Sequence, residues 1–255
     1  MSAKSAPAGG RMKLSADAGI AWLKMDDVDG KNIFSHEFIE EFLSALEVIE
    51  KKYVPKVMIL HGLTDVFCGG GEKQALLDLC DGKVVVVDLV ICEKLLEAPF
   101  PVISAMEGHA MGGGLAVAFC SDIVVAARES RYGAVFMNMG FTPGMGTTTL
   151  LSEMVGPFIA NEMMMTGKRF RGSELEAKGT NINYILPRVD VLPKAEDIAR
   201  QIAEKDARSL ALLKNALCTK KKKLLVEARL QEDLMHRITF GFPETKRTIQ
   251  EQYPE

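Results

Sequence analysis

Several absences narrow this sequence first. Its 255 residues carry a net charge of only -3, so no excess of one sign points to nucleic acid or to an anionic membrane surface. Five cysteines, Cys68, Cys80, Cys92, Cys120 and Cys218, are scattered without metal-ligand spacing. An odd number argues against a disulfide framework and for reduced thiols in a cytoplasmic protein. No apolar run is long and uninterrupted enough to span a bilayer; "KVVVVDLVIC" is broken by Asp88. The start, "MSAKSAPAGGRM", lacks the apolar core of a signal peptide, and residues 1–12 are expected to be a disordered leader. Neither G-x-G-x-x-G nor G-K-[ST] occurs in the glycine-rich stretches, which disfavours a phosphate loop. Between Glu107 and Asp122, around a triple glycine, there is no acid at all.

What is present is an ordinary globular composition, 47% hydrophobic and 25% charged. Residues 13–25 read as strands of a hairpin, followed by the polar turn "DDVDGKN". A helix is expected from about Ser35 to Lys51, with Ser35 as N-cap and Phe38, Phe42, Leu46 and Ile49 at helical spacing. "KVMILHG", "FPVISAMEG" and "IVVAARES" read as buried strands, and "DVFCGGGEKQALLDL" and "GGGLAVAFCSD" as glycine loops opening helices. Strands buried on both faces and alternating with helices imply an α/β fold with parallel sheet. From about Pro193 the pattern is helical to the end, with apolar stripes in "AEDIARQIAEKDARSLALLKNAL" and "LLVEARLQEDLMHRITF". No linker separates the two parts. The expected organisation is a core over 13–192 and a helical subdomain over 193–255.

Two loops share one design, "FCGGGEK" (Phe67 to Lys73) and "GHAMGGGLA" (Gly108 to Ala116). Glycine lets backbone approach a ligand closely, and helix N-termini offer unsatisfied N–H groups. Two such ends facing one point would stabilise charge on a carbonyl oxygen. Tight turns with close helix-strand packing remain the alternative. Together with "PVISAMEGHAMGGGLAVAFCSDIVVAARES" and "GFTPGMGTTTLL", in this order and spacing, these loops resemble the crotonase (enoyl-CoA hydratase/isomerase) superfamily over roughly residues 13–250. The resemblance implies a spiral of ββα repeats and C-terminal helices that build a homotrimer. It also implies an oxyanion hole formed by the backbone N–H groups of Gly71 and Gly113.

The family's hydratases carry one catalytic glutamate three residues after the middle glycine, here Ala116. The second falls at Phe136 when aligned on "RYGAVFMNMGFTPG". Hydration needs a base and an acid, and neither position supplies one. Decarboxylation beside a conjugated thioester needs only stabilisation of the resulting enolate and a proton donor. The sequence most resembles the decarboxylases of polyketide β-branching, which convert 3-methylglutaconyl to 3-methylcrotonyl on an acyl carrier protein. That likeness implies His236, in "LMHRITF", as the donor, suited by its near-neutral pKa.

A lysine that binds the departing carboxylate is also implied: Lys83 or Lys73, with Leu79 or Val85 standing where the family lysine would be expected. Ala116, Tyr132 and Phe136 are expected to line the substrate pocket, with packing in the aromatic core the alternative for Tyr132. His109 is expected to brace the second loop, and His61 and His36 to be structural. "TKKKKLL" (Thr219 to Leu225) is either a solvated helix end or a docking surface for a carrier protein or for CoA phosphates. No metal or organic cofactor is implied, the phosphopantetheine arm belonging to the substrate carrier. Two other readings stay open: an enoyl-CoA hydratase or isomerase with relocated acid and base groups, and a non-catalytic scaffold that binds acyl carriers.

Overall fold

The computed structural model describes residues 10–84 and 89–253. Residues 1–9 of the expected leader, and Val85, lie outside the described residues. The chain opens with an antiparallel hairpin, β1 (Met12–Asp17) and β2 (Ile20–Met25), and then β3 (Ile33–Phe34). Thus regular structure starts one residue before the expected boundary at 13. Helix α1 (His36–Val48) is capped by Ser35, whose side chain accepts the Phe38 N–H, and a π turn over Ile49–Tyr53 extends it.

Two ββα units follow. In the first, β4 (Val57–His61), β5 (Val66–Cys68) and β6 (Gly70–Gly71) lead into α2 (Lys73–Cys80), with α3 (Leu89–Glu97) appended. In the second, β7 (Val102–Met106) and β8 (His109–Met111) lead into α4 (Gly113–Phe119). A third pair, β9 (Ile123–Ala127) and β10 (Arg131–Gly133), ends in a 3₁₀ turn over Val135–Met139. Next come α5 (Thr147–Val155), α6 (Pro157–Thr166), β11 (Phe170–Arg171), α7 (Gly172–Ala177) and β12 (Tyr184–Leu186).

The first strand of each unit joins a six-stranded sheet, β1-β2-β4-β7-β9-β12, parallel from β2 onward. The second strand joins a four-stranded sheet, β11-β10-β8-β5, in which β5, β8 and β10 are parallel. Alternation along β4 shows why its apolar run is continuous. Met58 and Leu60 face the main core with Phe38, Phe42 and Phe67, while Val57 and Ile59 face a second cluster with Val191, Ala195 and Ala199. Both faces of the sheet are covered, so both phases of the strand are apolar.

Those last three residues belong to α8 (Arg188–Ala203), which begins after Pro187. The expected helical boundary at Pro193 is therefore corrected: Pro193 lies inside α8, and Pro187 is its N-cap. The two expected C-terminal stripes are also redistributed. The first divides near Asp206, whose side chain accepts the Ser209 N–H and starts α9 (Ala207–Thr239). The second is the rest of that 33-residue helix. A last helix, α10 (Pro243–Gln252), packs on α2.

Candidate active site

Parallel pairing of β5 with β8 brings the two glycine loops together, because each loop leaves the same end of neighbouring strands. A side chain at Gly70 would sit 3.7 Å from the Gly113 nitrogen and 2.8 Å from the Met111 carbonyl oxygen. Gly70 (φ +95°) and Gly112 (φ +52°, ψ −121°) hold conformations that other residues resist. Behind them packing is equally tight, since a Cβ on Gly114 would lie 2.4 Å from the Cys68 carbonyl oxygen. Close helix-strand packing and a site for close approach are thus both features of these loops. Gly113 is the first residue of α4, so its N–H has no acceptor within the helix.

Gly71 and Gly113 border one cavity of about 380 Å³. Phe34, Leu76, Phe136, Met139, Phe141 and Phe240 make much of its wall apolar. Its ionisable members are His36, Glu72, Asp78, His236 and Tyr253. Asp78 accepts from Gln74 at 3.0 Å and from Lys83 at 3.1 Å, and the lysine holds its carboxyl below the usual range.

His236 comes from α9 and is 5% exposed. Its Nε2 lies 2.9 Å from the Thr142 carbonyl oxygen, while Nδ1 is buried without a partner. A carbonyl only accepts, so Nε2 carries the hydrogen and Nδ1 is the bare nitrogen of the neutral ring. Phe141 and Phe240 pack against it with ring centres 6.3 and 5.4 Å away. Burial pushes its pKa below the ordinary histidine value, against the opposing pull of the Thr142 carbonyl and of Glu232.

Of the residues expected to line the pocket, Phe136 does so and two do not. Ala116 is wholly buried in α4, away from the cavity wall. Tyr132 lies in the core between the sheets, where its hydroxyl accepts the Ala127 N–H at 2.8 Å and lies 3.1 Å from the Met106 carbonyl oxygen. Its hydroxyl is spent on bracing strands, so of its two expected roles the structure shows core packing and not pocket lining. Lys73 opens α2 but is not part of the cavity wall. Lys83 is also outside it, paired with Asp78 and Asp81 at 3.1 Å each, although its neighbour Val84 borders the cavity. Leu79 lines the cavity. His109 braces its loop: Nδ1 accepts the Arg131 N–H at 2.9 Å. His36 borders the cavity and pairs with Glu40, and burial pushes His61 down to about 4.

Tyr253 had no signal in the sequence. Its hydroxyl donates to the Gly71 carbonyl oxygen, closing the first glycine loop from the far end of the chain. Burial pushes its pKa up to about 12, so the hydroxyl keeps its proton.

With this geometry established, similarity to known proteins adds an independent line. The enoyl-CoA hydratase/isomerase family profile matches residues 15–253. The bacillaene synthase decarboxylase PksI of Bacillus subtilis is 36% identical over 240 residues, 94% of this chain and 96% of its own. A structure from a dehydratase/decarboxylase enzyme couple involved in polyketide β-branching superposes with a TM-score of 0.94 at 35% identity, covering 99% of this chain and 100% of its own. The ECH2 decarboxylase domain of CurF from Lyngbya majuscula gives 0.90 at 34% identity, covering 96% and 100%. The chain belongs to the enoyl-CoA hydratase/isomerase family, the crotonase fold, and within it is similar to the decarboxylases of polyketide β-branching.

Proposed function

We propose that this protein decarboxylates a glutaconyl-type thioester, converting 3-methylglutaconyl to 3-methylcrotonyl on an acyl carrier protein in polyketide β-branching. It is a crotonase-fold decarboxylase, a lyase. The observation that carries this reading is the pairing of two adjacent glycine loops with a largely apolar cavity wall that includes Phe136, the residue that the family resemblance aligns with the hydratases' second carboxylate.

The chemistry follows from the residues. The bond to the carboxylate breaks, CO2 leaves, and the electron pair enters the conjugated thioester. Charge collects on the carbonyl oxygen, where the N–H groups of Gly71 and Gly113 stabilise it; one such donor is typically worth about 3 kcal/mol of barrier. His236 then delivers a proton to carbon. Lys83, set between the cavity-lining Asp78 and Val84, would meet the substrate carboxylate by exchanging its pairs with Asp78 and Asp81. No resident cofactor takes part, and the acyl carrier's phosphopantetheine arm presents the substrate.

Two further elements of the reading concern assembly and setting. Val226, Leu230, Leu234 and Ile238 recur every four residues on α9 and are exposed, a face that suits packing of a homotrimer. Among the described residues no helix is long and apolar enough to cross a membrane, which fits a cytoplasmic enzyme.

Glu72 and Asp78 on the cavity wall favour a second reading, a hydratase with relocated carboxylates. Mass spectrometry separates the two. Carrier protein loaded with 3-methylglutaconyl should lose one CO2 on incubation with this protein, and His236→Ala should slow that loss by about 10²- to 10⁴-fold. Water addition to crotonyl-CoA, with no CO2 released from the glutaconyl thioester, would establish the second reading instead.

A further inference from the structure

α9 carries another buried ionisable side chain, one turn before His236. Glu232 is 1% exposed and does not border the cavity. Its Oε2 accepts the Gly146 N–H at 2.8 Å, and its Oε1 accepts the Thr148 N–H at 2.9 Å and the Thr148 hydroxyl at 2.6 Å. All three partners are neutral donors from one segment. Four-residue spacing on a helix places Glu232 and His236 on the same face, with Cβ atoms roughly 5–6 Å apart.

That segment joins the two halves of the site. Its first residue, Thr142, presents the carbonyl that holds His236 Nε2. Met145, midway, has φ +59°, a left-handed conformation unusual for a residue with a Cβ. Its sulfur fills the space in front of Gly113, 2.6 Å from where a side chain there would begin. Such strain persists only where the surroundings over-determine it, and the next residue, Gly146, is one of those anchored to Glu232. Thr149 adds a bond to the Leu224 carbonyl of α9 at 3.1 Å.

We propose that Glu232 is a positioning residue that fixes the 142–148 segment on α9, so that Nε2–H of His236 stays committed to Thr142 and Nδ1 is the nitrogen that hands the proton to substrate. The inference rests on the reading of His236 as proton donor. In the step, the Nδ1–H bond of the imidazolium breaks and a C–H bond forms on the dienolate. The nitrogen keeps the electron pair, and the neutral ring regains a proton from water between turnovers. Glu232 also supplies negative charge that favours the imidazolium, as does Asp233 of the same helix. From other elements the ring faces the carbonyls of Thr142 and Pro143 and the Phe141 ring. His36, Glu72, Asp78 and Tyr253 share the cavity.

The test is Glu232→Gln, which keeps the shape but removes the charge and one of the two acceptor oxygens, so that the Gly146 or the Thr148 donors lose their partner. Decarboxylation is followed against pH, with His236→Gln as reference and thermal unfolding as a check on folding. The expected result is kcat lowered about tenfold, the size of coupling within one network, with KM unchanged. The alkaline limb of the pH profile should move to lower pH. Nitrogen NMR of the wild-type protein should show His236 as the Nε2–H tautomer. Thr148→Val removes one donor without touching the charge, and is expected to lower kcat with KM unchanged; it stands in if Glu232→Gln does not fold. Unchanged kcat and pH profile in a folded Glu232→Gln, or in Thr148→Val where that variant stands in, or an Nδ1–H tautomer in the wild type, would overturn the inference while leaving an essential His236 intact. Undiminished CO2 release by His236→Gln would overturn the proton-donor reading itself, and the inference with it.

Discussion

At the scale of single residues, the site depends on where backbone polar groups point. On the proposed reading the Gly71 carbonyl is an acceptor beside the place where an anionic oxygen is stabilised, and Tyr253 occupies it with a hydroxyl. Removing that hydroxyl frees an electronegative atom next to the developing charge and leaves it poorly solvated. Tyr253→Phe is expected to cost about 1–3 kcal/mol of stability, the usual penalty for an unsatisfied buried group, and to lower kcat more than it raises KM. Urea unfolding and steady-state kinetics check the two parts separately; a variant with wild-type kcat would mean that the loop holds its shape unaided.

At the scale of elements, α9 is the frame on which the helical core is hung. Near its start Lys214, 1% exposed at the side chain, donates to Asp122 at 2.6 Å and to the Leu95 carbonyl at 3.1 Å. Asp122 in turn accepts the Val102 N–H at 2.7 Å, tying the helix to β7. Breaking a buried pair from one side leaves an uncompensated charge. Lys214→Met should therefore lower the unfolding free energy by about 3 kcal/mol or more, read from urea midpoints. The lysine run shows the same pattern at Lys221. Lys220 pairs with Glu153, Lys221 donates to the Phe119 and Ser121 carbonyls at the end of α4, and Lys222 bonds Asn215. Lys221 thus anchors α9 to the end of α4, whereas the exposed bonds of Lys220 and Lys222 contribute little to stability and leave both readings of the run standing.

At the scale of the whole molecule, histidines held neutral by burial make stability depend on pH. His61, at the end of β4, titrates at about 4 in the folded chain against 6.5 for an ordinary histidine, because burial and nearby Lys24 disfavour its charge. Burial pushes His236 in the same direction. In both cases the unfolded state binds protons more readily, so stability is complete above the ordinary histidine value and falls as pH drops toward 4. His61 alone accounts for up to about 3 kcal/mol of that loss. Urea midpoints at pH 7.5 and pH 5 should differ accordingly, and His61→Gln should flatten the dependence.

The local chemistry of the chain determined much of this unaided. Ser35 and helical spacing set α1, strands apolar in both phases announced a sheet covered on two sides, and the two glycine runs marked backbone built for close approach, of which Gly70 and Gly112 hold positive φ. Ala116 and Phe136 were legible as positions without an acid once the family resemblance had said where a hydratase carries its two glutamates. Tertiary structure decided what depends on residues far apart in the chain. It put Tyr132 and Ala116 inside the core, and placed Glu232 and Tyr253 in support of loops 84 and 182 positions away. Periodicity and turn chemistry are written in neighbouring residues, whereas the partner of a buried carboxylate or hydroxyl is chosen only when packing closes the distance between them.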